Sequence, residues 1–400
     1  MEVPKQISRR QARRFAALRT ARKPLSTSTY LYRNLGKSVP FVVVITLAVM
    51  LVSGIVALMD SIPDSIRQIY AYSKDVLVLG PRSDPSLTPE LLATVVKETP
   101  VPLDRTMLIR GAPTIVHSIV GKWPFTYIGF KQSDMEYFMR RNHVSQLNGR
   151  LPHPGKPEAV LSEPVARNLR AHIGSIVMNP KDMDSYAPDN IKVVGIAQTD
   201  RWFMFGDIDY LKESFFPPID IAVVFARNEA DQHTLGKWAE KRFKGTRASL
   251  YTYDTLEKDT DDMFSILYQI LDVVIGLLVA VITFMMAMLM NIYLSQRLVE
   301  FGLLQALGYT KRRILNRVWR ETLVVVVFGW IVGALCAFGV LKIVYNLLMY
   351  PKAFALNPAD PIAFRYTIPI PVAILTVSIC TLLFRFRRFD PVSIVERRLV

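Results

Sequence analysis

Few residues in this 400-residue chain are spaced for chemistry. Its five histidines, His117, His143, His153, His172 and His233, match neither HExxH nor paired His/Cys ligand spacing. His143 and His153 flank a turn and read as surface-loop residues. Asp254, Glu257, Asp259, Asp261 and Asp262 form an acidic run. A calcium site would fit it, and so would the solvated start of a helix, where negative charge is favoured; the second reading is preferred. No GxSxG or Ser-His-Asp arrangement is present. A phosphate cradle requires GxxxxGK[ST]. Gly36-Lys37-Ser38 supplies its last three letters, but the position of the first glycine holds Leu31, and the segment runs straight into an apolar stretch. The chain therefore reads as a non-enzyme that carries no metal site and no nucleotide-binding domain.

The elements that must position the remaining polar residues are apolar. Half of the chain, 51%, is hydrophobic, and mean hydropathy is +0.24. About 20 apolar residues cross the roughly 30 Å of bilayer hydrocarbon. Four runs meet or approach that length: 39–59, 266–294, 322–348 and 368–384. The only charges inside them are Asp272 and Lys342. Such charges are functional by default, but both stand near expected outer ends, where they can snorkel. Cys336 and Cys380 lie within apolar runs and behave as small hydrophobes, so no disulfide framework is expected.

A net charge of +15 invites a nucleic-acid reading, and its distribution argues against one. Residues 60–265 hold 25 Lys+Arg against 27 Asp+Glu. The excess sits in residues 1–38 (ten basic, one acidic), 295–321 (six and two) and 385–400 (five and two). With four spans these three segments share a side. This is the positive-inside pattern, and it places both termini in the cytoplasm of a multi-pass protein of the inner (cytoplasmic) membrane, with basic tails against anionic lipid. Residues 349–367 form an outer loop. No cleavable signal pattern closes the N-terminal segment, so the first span reads as a retained anchor. Arg9, Arg10, Arg13 and Arg14, with Phe15 and Leu18, fit either an interfacial helix or a disordered basic tail.

Residues 60–265, about 206 in number, suffice for a core of their own. Strands are expected at 75–79, 114–120, 125–130, 159–161, 191–196 and 219–225, and helices at 88–98, 164–169 and 231–243. Thr88 is the expected N-cap of the first helix, with Pro89 in its first turn. The fold class is thus an α-helical membrane protein with four transmembrane helices, plus an α+β extracytoplasmic domain inserted between helices 1 and 2. Trp202, Phe203, Phe205, Phe215 and Phe216 fit a sticky patch for an apolar substrate or partner if exposed. Ordinary core is the competing reading and the favoured one.

Segment 296–321 is short, basic and amphipathic, and is held between two spans. Phe301, Leu303, Leu304 and Leu307 form a stripe that could simply lie on the membrane. That leaves unexplained the small and charged residues interleaved with it. Arg297, Glu300, Phe301, Gly302, Leu303, Leu304, Ala306, Leu307 and Gly308 form a block, followed by Lys311, Arg312 and Glu321. This block resembles the one after the second span in the MacB/FtsX family of ABC transporter permeases (the mechanotransmission, or type VII, class). The family's C-terminal signature is matched by Asp390-Pro391-Val392 through Arg397. Its outer-domain stretch is matched at 148–152, 158–169, 173–177 and 191–196. The resemblance covers nearly the whole chain. Tyr309 and Ser175 depart from the family pattern, and the basic N-terminal tail is unusually long.

The resemblance implies a MacB-like outer domain and a coupling helix, 295–321, seated in a separate ABC ATPase subunit that binds ATP and Mg. Gly302, Ala306 and Gly308 would allow close approach. Glu300, Arg312 and Arg313 would supply charged contacts, and Leu303, Leu307 and Tyr309 belong to the same docking segment. A second permease copy or paralogue is expected, and a membrane-fusion adaptor is a further candidate partner. The implied function is export of a hydrophobic or amphiphilic substrate: a peptide, drug, glycolipid or lipoprotein. The alternative is a transducer of FtsX type that activates an extracytoplasmic cell-wall hydrolase or sensor. Such transducers tend to have small outer domains, which favours export here.

Overall fold

The computed structural model describes residues 35–82, 84–119, 121–214 and 220–387. The basic N-terminal segment 1–34, Phe215, Phe216 and the Asp390-Pro391 signature lie outside the described residues. Contacts divide the chain into two units, one of residues 1–57, 270–341 and 358–400, the other of residues 58–269 and 342–357.

The four apolar runs are helical except at Ile368, which lies in the turn before the last helix. Four helices are long and apolar enough to cross a membrane. They belong to α1 (Leu35–Ile69), α7 (Tyr253–Gln296), α9 (Lys311–Val344) and α11 (Pro369–Arg387). Each of the first three is longer than its apolar run. Gly36-Lys37-Ser38 falls inside α1, so it forms no phosphate-binding loop. A close helix approach uses Gly329 and Gly333 of α9. A Cβ at Gly333 would stand 2.8 Å from Val49 Cβ and 3.1 Å from Thr46 Cα. Thr46 Oγ1 donates to the Gly329 carbonyl at 3.3 Å. Small residues four apart open this groove, and α1 fills it. Trp330 Nε1 donates to Thr367 Oγ1 at 3.0 Å, fixing α9 to the turn between α10 (Pro361–Arg365) and α11.

The second unit is built on a mixed ten-stranded sheet. Its strands are β1 (Leu77–Pro81), β2 (Leu103–Ser118), β3 (Gly121–Phe130), β4 (Gln146–Gly149), β5 (Glu158–Ser162), β6 (Ile176–Met178), β7 (Ile191–Gln198), β8 (Met204–Asp207), β9 (Asp220–Ala226) and β10 (Ala248–Tyr251). The order is β10-β1-β9-β2-β3-β8-β5-β7-β4, with β6 on β7. Its helices are α2 (Thr88–Glu98), α3 (Gln132–Arg141), α4 (Glu163–Asn168), α5 (Ile208–Glu213) and α6 (Glu229–Arg242).

Strand alternation sends successive side chains to opposite faces. Val223 and Phe225 join a core with Met107, Phe130, Phe138, Phe203 and Phe205. Ala222, Val224 and Ala226 join another with Leu77, Leu79, Val95 of α2 and Leu235 of α6. Helix α2 has the expected bounds, but Thr88 is not its cap: Leu87 holds that position, and Thr88 Oγ1 donates to the Asp220 carbonyl at 2.7 Å. Residues 114–118 of one expected strand and 125–130 of the next are parts of one long hairpin, β2–β3, and Val120 lies outside the described residues.

The aromatic patch is corrected. Trp202, Phe203 and Phe205 are fully buried. Phe205 lies on β8, which pairs with β3 on one side and β5 on the other. A strand flanked on both sides and buried on both faces carries apolar residues without alternation, which is why its sequence looks like a sticky patch. Trp202 stacks on Phe354 (centroids 6.4 Å, planes 6° apart) and meets Phe125 edge-on. Residues 342–348, expected as the end of the third span, and 349–357, expected as outer loop, group with the outer domain.

Candidate functional site

The site begins where α7 ends. Gln296 closes that helix, Arg297 caps the next, and α8 runs over Leu298–Ala306. The coupling segment is thus not one helix but two joined by a tight turn. Gly308 (φ 91°) stops α8. Tyr309 N–H donates to the Leu304 carbonyl at 3.0 Å and Gly308 N–H to the Gln305 carbonyl at 2.9 Å. This pair of bonds is a Schellman cap, and its left-handed residue favours glycine. Thr310 then accepts from Arg313 N–H and Ile314 N–H through its carbonyl, and α9 begins at Lys311.

At the root of the turn is a charged cluster with little access to water. Arg297 is 2% exposed and Glu321 3%. Arg297 Nη1 donates to Glu321 Oε2 at 2.7 Å and to Tyr293 Oη at 2.7 Å. Arg297 Nε donates to Glu300 Oε2 at 3.0 Å. Arg317 Nε reaches the other Glu321 oxygen at 3.1 Å. The Arg297 guanidinium also lies over the Tyr293 and Phe301 rings, 5.2 and 5.1 Å from their centroids. Buried charges hold only when paired and hydrogen-bonded, and these are. The cluster ties the end of α7, the start of α8 and the first turns of α9 together. Sequence reasoning noted Arg297 and Glu321 as motif letters but did not name them as site residues. The available signal was opposite charge at matching depth, one residue closing a span and the other opening the next.

The expected docking residues divide into two sets. Leu303, Ala306, Leu307, Gly308, Arg312 and Arg313 are exposed, Leu303 by 59% and Leu307 by 76%, and Tyr309 is half-buried. Phe301 and Gly302 are buried instead. A Cβ at Gly302 would meet no atom within 4 Å, so packing inside this chain does not demand its small size. Glu300 is already engaged by Arg297. Of the intramembrane charges, Asp272 lies on the exposed side of α7 and Lys342 is exposed near the end of α9.

Among the described residues, no group of three or more His, Cys, Asp or Glu is placed to hold a metal ion. The acidic run lies on the first turns of α7, where Asp254 pairs with His233 at 2.8 Å and Asp261 with Arg67 at 2.5 Å. At the outer-domain motif, Arg150 holds Glu158 through two bonds of 2.7 and 2.6 Å. These pull its carboxyl down to about 2; partial burial opposes them, and the His153 N–H assists.

The MacB-like periplasmic core domain family matches residues 39–241, and the FtsX-like permease C-terminal family matches residues 273–392. No curated protein matches the chain. Among solved structures, the periplasmic region of MacB from Actinobacillus actinomycetemcomitans is 13% identical (TM-score 0.28), covering 50% of this chain and 96% of that one. The extracellular domain of the ABC-type transporter YknZ from Gram-positive bacteria is also 13% identical (TM-score 0.25), covering 44% of this chain and all of that one. One family spans the first span and most of the outer domain and the other the remaining spans, so the chain belongs to the MacB/FtsX family of permeases, as a multi-pass membrane protein.

Proposed function

We infer that this chain is the permease subunit of an ABC transporter, coupling ATP hydrolysis by a separate ATPase to movement of its outer domain for export of a hydrophobic or amphiphilic substrate. Both termini and the α8 turn face the cytoplasm of the inner membrane, and two permease copies or paralogues assemble. The observation that carries this reading is the exposed face of Leu303, Ala306, Leu307, Arg312 and Arg313 on a turn whose root is fixed by Arg297 and Glu321. An apolar centre with basic flanks suits a groove on a soluble partner. Because the root is fixed, force on α8 passes to α7 and α9 with little slack. The outer domain, at about 206 residues, favours export over hydrolase activation. ATP and Mg are held by the partner, and an adaptor joins the assembly outside the membrane.

Affinity purification of the full chain in mild detergent tests the reading. A co-purifying ABC ATPase is expected. Its absence under conditions that keep the permease dimeric would sink the proposal, whereas a co-purifying cell-wall hydrolase would favour the transducer.

A further inference from the structure

Three helices run into the outer unit. α1 enters it at Leu58, α7 leaves it at Gln269, and α9 reaches it at Lys342. The first two flank the domain in sequence, as any insertion requires. The third comes from a distant part of the chain, and its end is held by side chains of the domain itself.

From Val344 the helix passes without a loop into a π-helical turn, Tyr345–Met349, and then a 3₁₀ turn, Tyr350–Lys352. Ala353 (φ 58°) reverses the chain. Its N–H donates to the Tyr350 carbonyl at 3.0 Å, and Phe354 N–H donates to the Met349 carbonyl at 3.1 Å. A π turn and a left-handed alanine persist where their surroundings hold them. Three contacts do so. Asn168 Nδ2 donates to the Lys352 carbonyl at 2.7 Å. Arg167, held by Glu163 at 2.8 Å, lays its guanidinium 4.4 Å from the centroid of the Tyr350 ring. Trp202 stacks on the buried Phe354.

Asn168, the last residue of α4, is 2% exposed and joins two structures. Beyond Arg110, β2 no longer pairs with β9. There the Asn168 amide bonds as a strand would. It accepts from His117 N–H at 2.8 Å and donates to the His117 carbonyl at 3.0 Å. One side chain thus bridges the far end of the β2–β3 hairpin and the turn that closes α9, with every amide hydrogen and its oxygen used.

We propose that segment 345–357 is a third attachment of the outer domain, through which displacement of α9 reaches the β2–β3 hairpin by way of Asn168. A slack loop would absorb such a displacement, whereas a helix ending in a packed, hydrogen-bonded turn passes it on. The transmitting role rests on the coupling reading of α8; the attachment itself does not.

The attachment is tested by hydrogen exchange on the full chain in phosphatidylcholine nanodiscs, without ATPase. Asn168→Asp keeps the acceptor for His117 N–H but sets a carboxylate against the two carbonyls. Exchange of the 353–356 amides should rise about tenfold or more, the scale of losing a buried hydrogen bond, with β9 amides unchanged. Should β9 exchange show that this variant disturbs the sheet, Tyr350→Leu decides instead. It alters an exposed ring, and loss of the Arg167 contact should raise the same amides about threefold. Wild-type exchange at 353–356 in the deciding variant would overturn the attachment. Transmission is tested with the ATPase bound. A non-hydrolysable ATP analogue should change exchange at 304–310 and at 114–118 in wild type, and at 304–310 alone in Asn168→Asp. An equal change at 114–118 in both proteins, or none there in wild type while 304–310 responds, would overturn transmission and leave the coupling reading intact. No response at 304–310 in wild type would overturn the coupling reading and the transmission that rests on it, and the 353–356 amides would still decide the attachment.

Discussion

The guanidinium of Arg297 and the carboxylate of Glu321 meet at 2.7 Å, 24 residues apart in the chain and nearly closed to water. Removing one partner of a buried pair leaves an uncompensated charge and costs about 3–5 kcal/mol. Arg297→Met should therefore lower thermal stability in detergent sharply. The double variant R297M/E321L should lose less than the sum of the two single changes, because neighbours in one network are not additive. Additive losses in a thermal double-mutant cycle would show that the pair acts independently.

The cap at Gly308 yields a second prediction. Its φ of 91° is strained for any residue with a Cβ. Gly308→Ala should destabilise the turn by about 1–2 kcal/mol. Hydrogen exchange of the 304–310 amides should rise in this variant while exchange in the outer-domain sheet stays unchanged.

Packing of α1 on α9 is set by the groove at Gly333. Gly333→Val would press a branched side chain onto Val49 and Thr46. Overpacking of this kind costs about 1–3 kcal/mol. The expected outcome is a lower melting temperature, partly restored by Val49→Ala. A Gly333→Val variant as stable as wild type would rule out the close approach.

Much of this was legible in the sequence, and the exceptions have physical causes. The four apolar helices were clear because hydrocarbon demands long uncharged runs. Strand β9 and helix α2 were clear from alternation and from end signals. Strand β8 was not recognised as a strand, because one buried on both faces shows no alternation. Helix α3 went unnoticed because its polar residues outnumber the buried Met135 and Phe138. Segment 295–321 was expected as one coupling helix; the break at Gly308 and the inward turn of Arg297 depend on packing. The one signal for Arg297 was an acidic partner at matching depth, Glu321, at the start of the next span.

Acid should act through Glu158. Its carboxyl titrates at about 2 in the folded chain because Arg150 grips it, whereas a free glutamate titrates near 4.5. A depressed folded value means the stabilisation is complete above about pH 4.5 and is lost as pH falls toward 2. Melting temperatures measured from pH 6 to pH 3 should decline in wild type. They should decline less steeply in Arg150→Gln, where the carboxyl returns toward its usual range. Equal slopes would contradict the assignment.

The most direct test of the account concerns the exposed face of α8. Leu303 and Leu307 project away from the packed helices, and L303D/L307D places charge there without disturbing Arg297 or Glu321. Quantitative co-purification of the ABC ATPase with this full-length variant, normalised to permease recovered, should fall at least tenfold with the melting temperature unchanged. Co-purification at the wild-type level would contradict the claim that this face seats the engine.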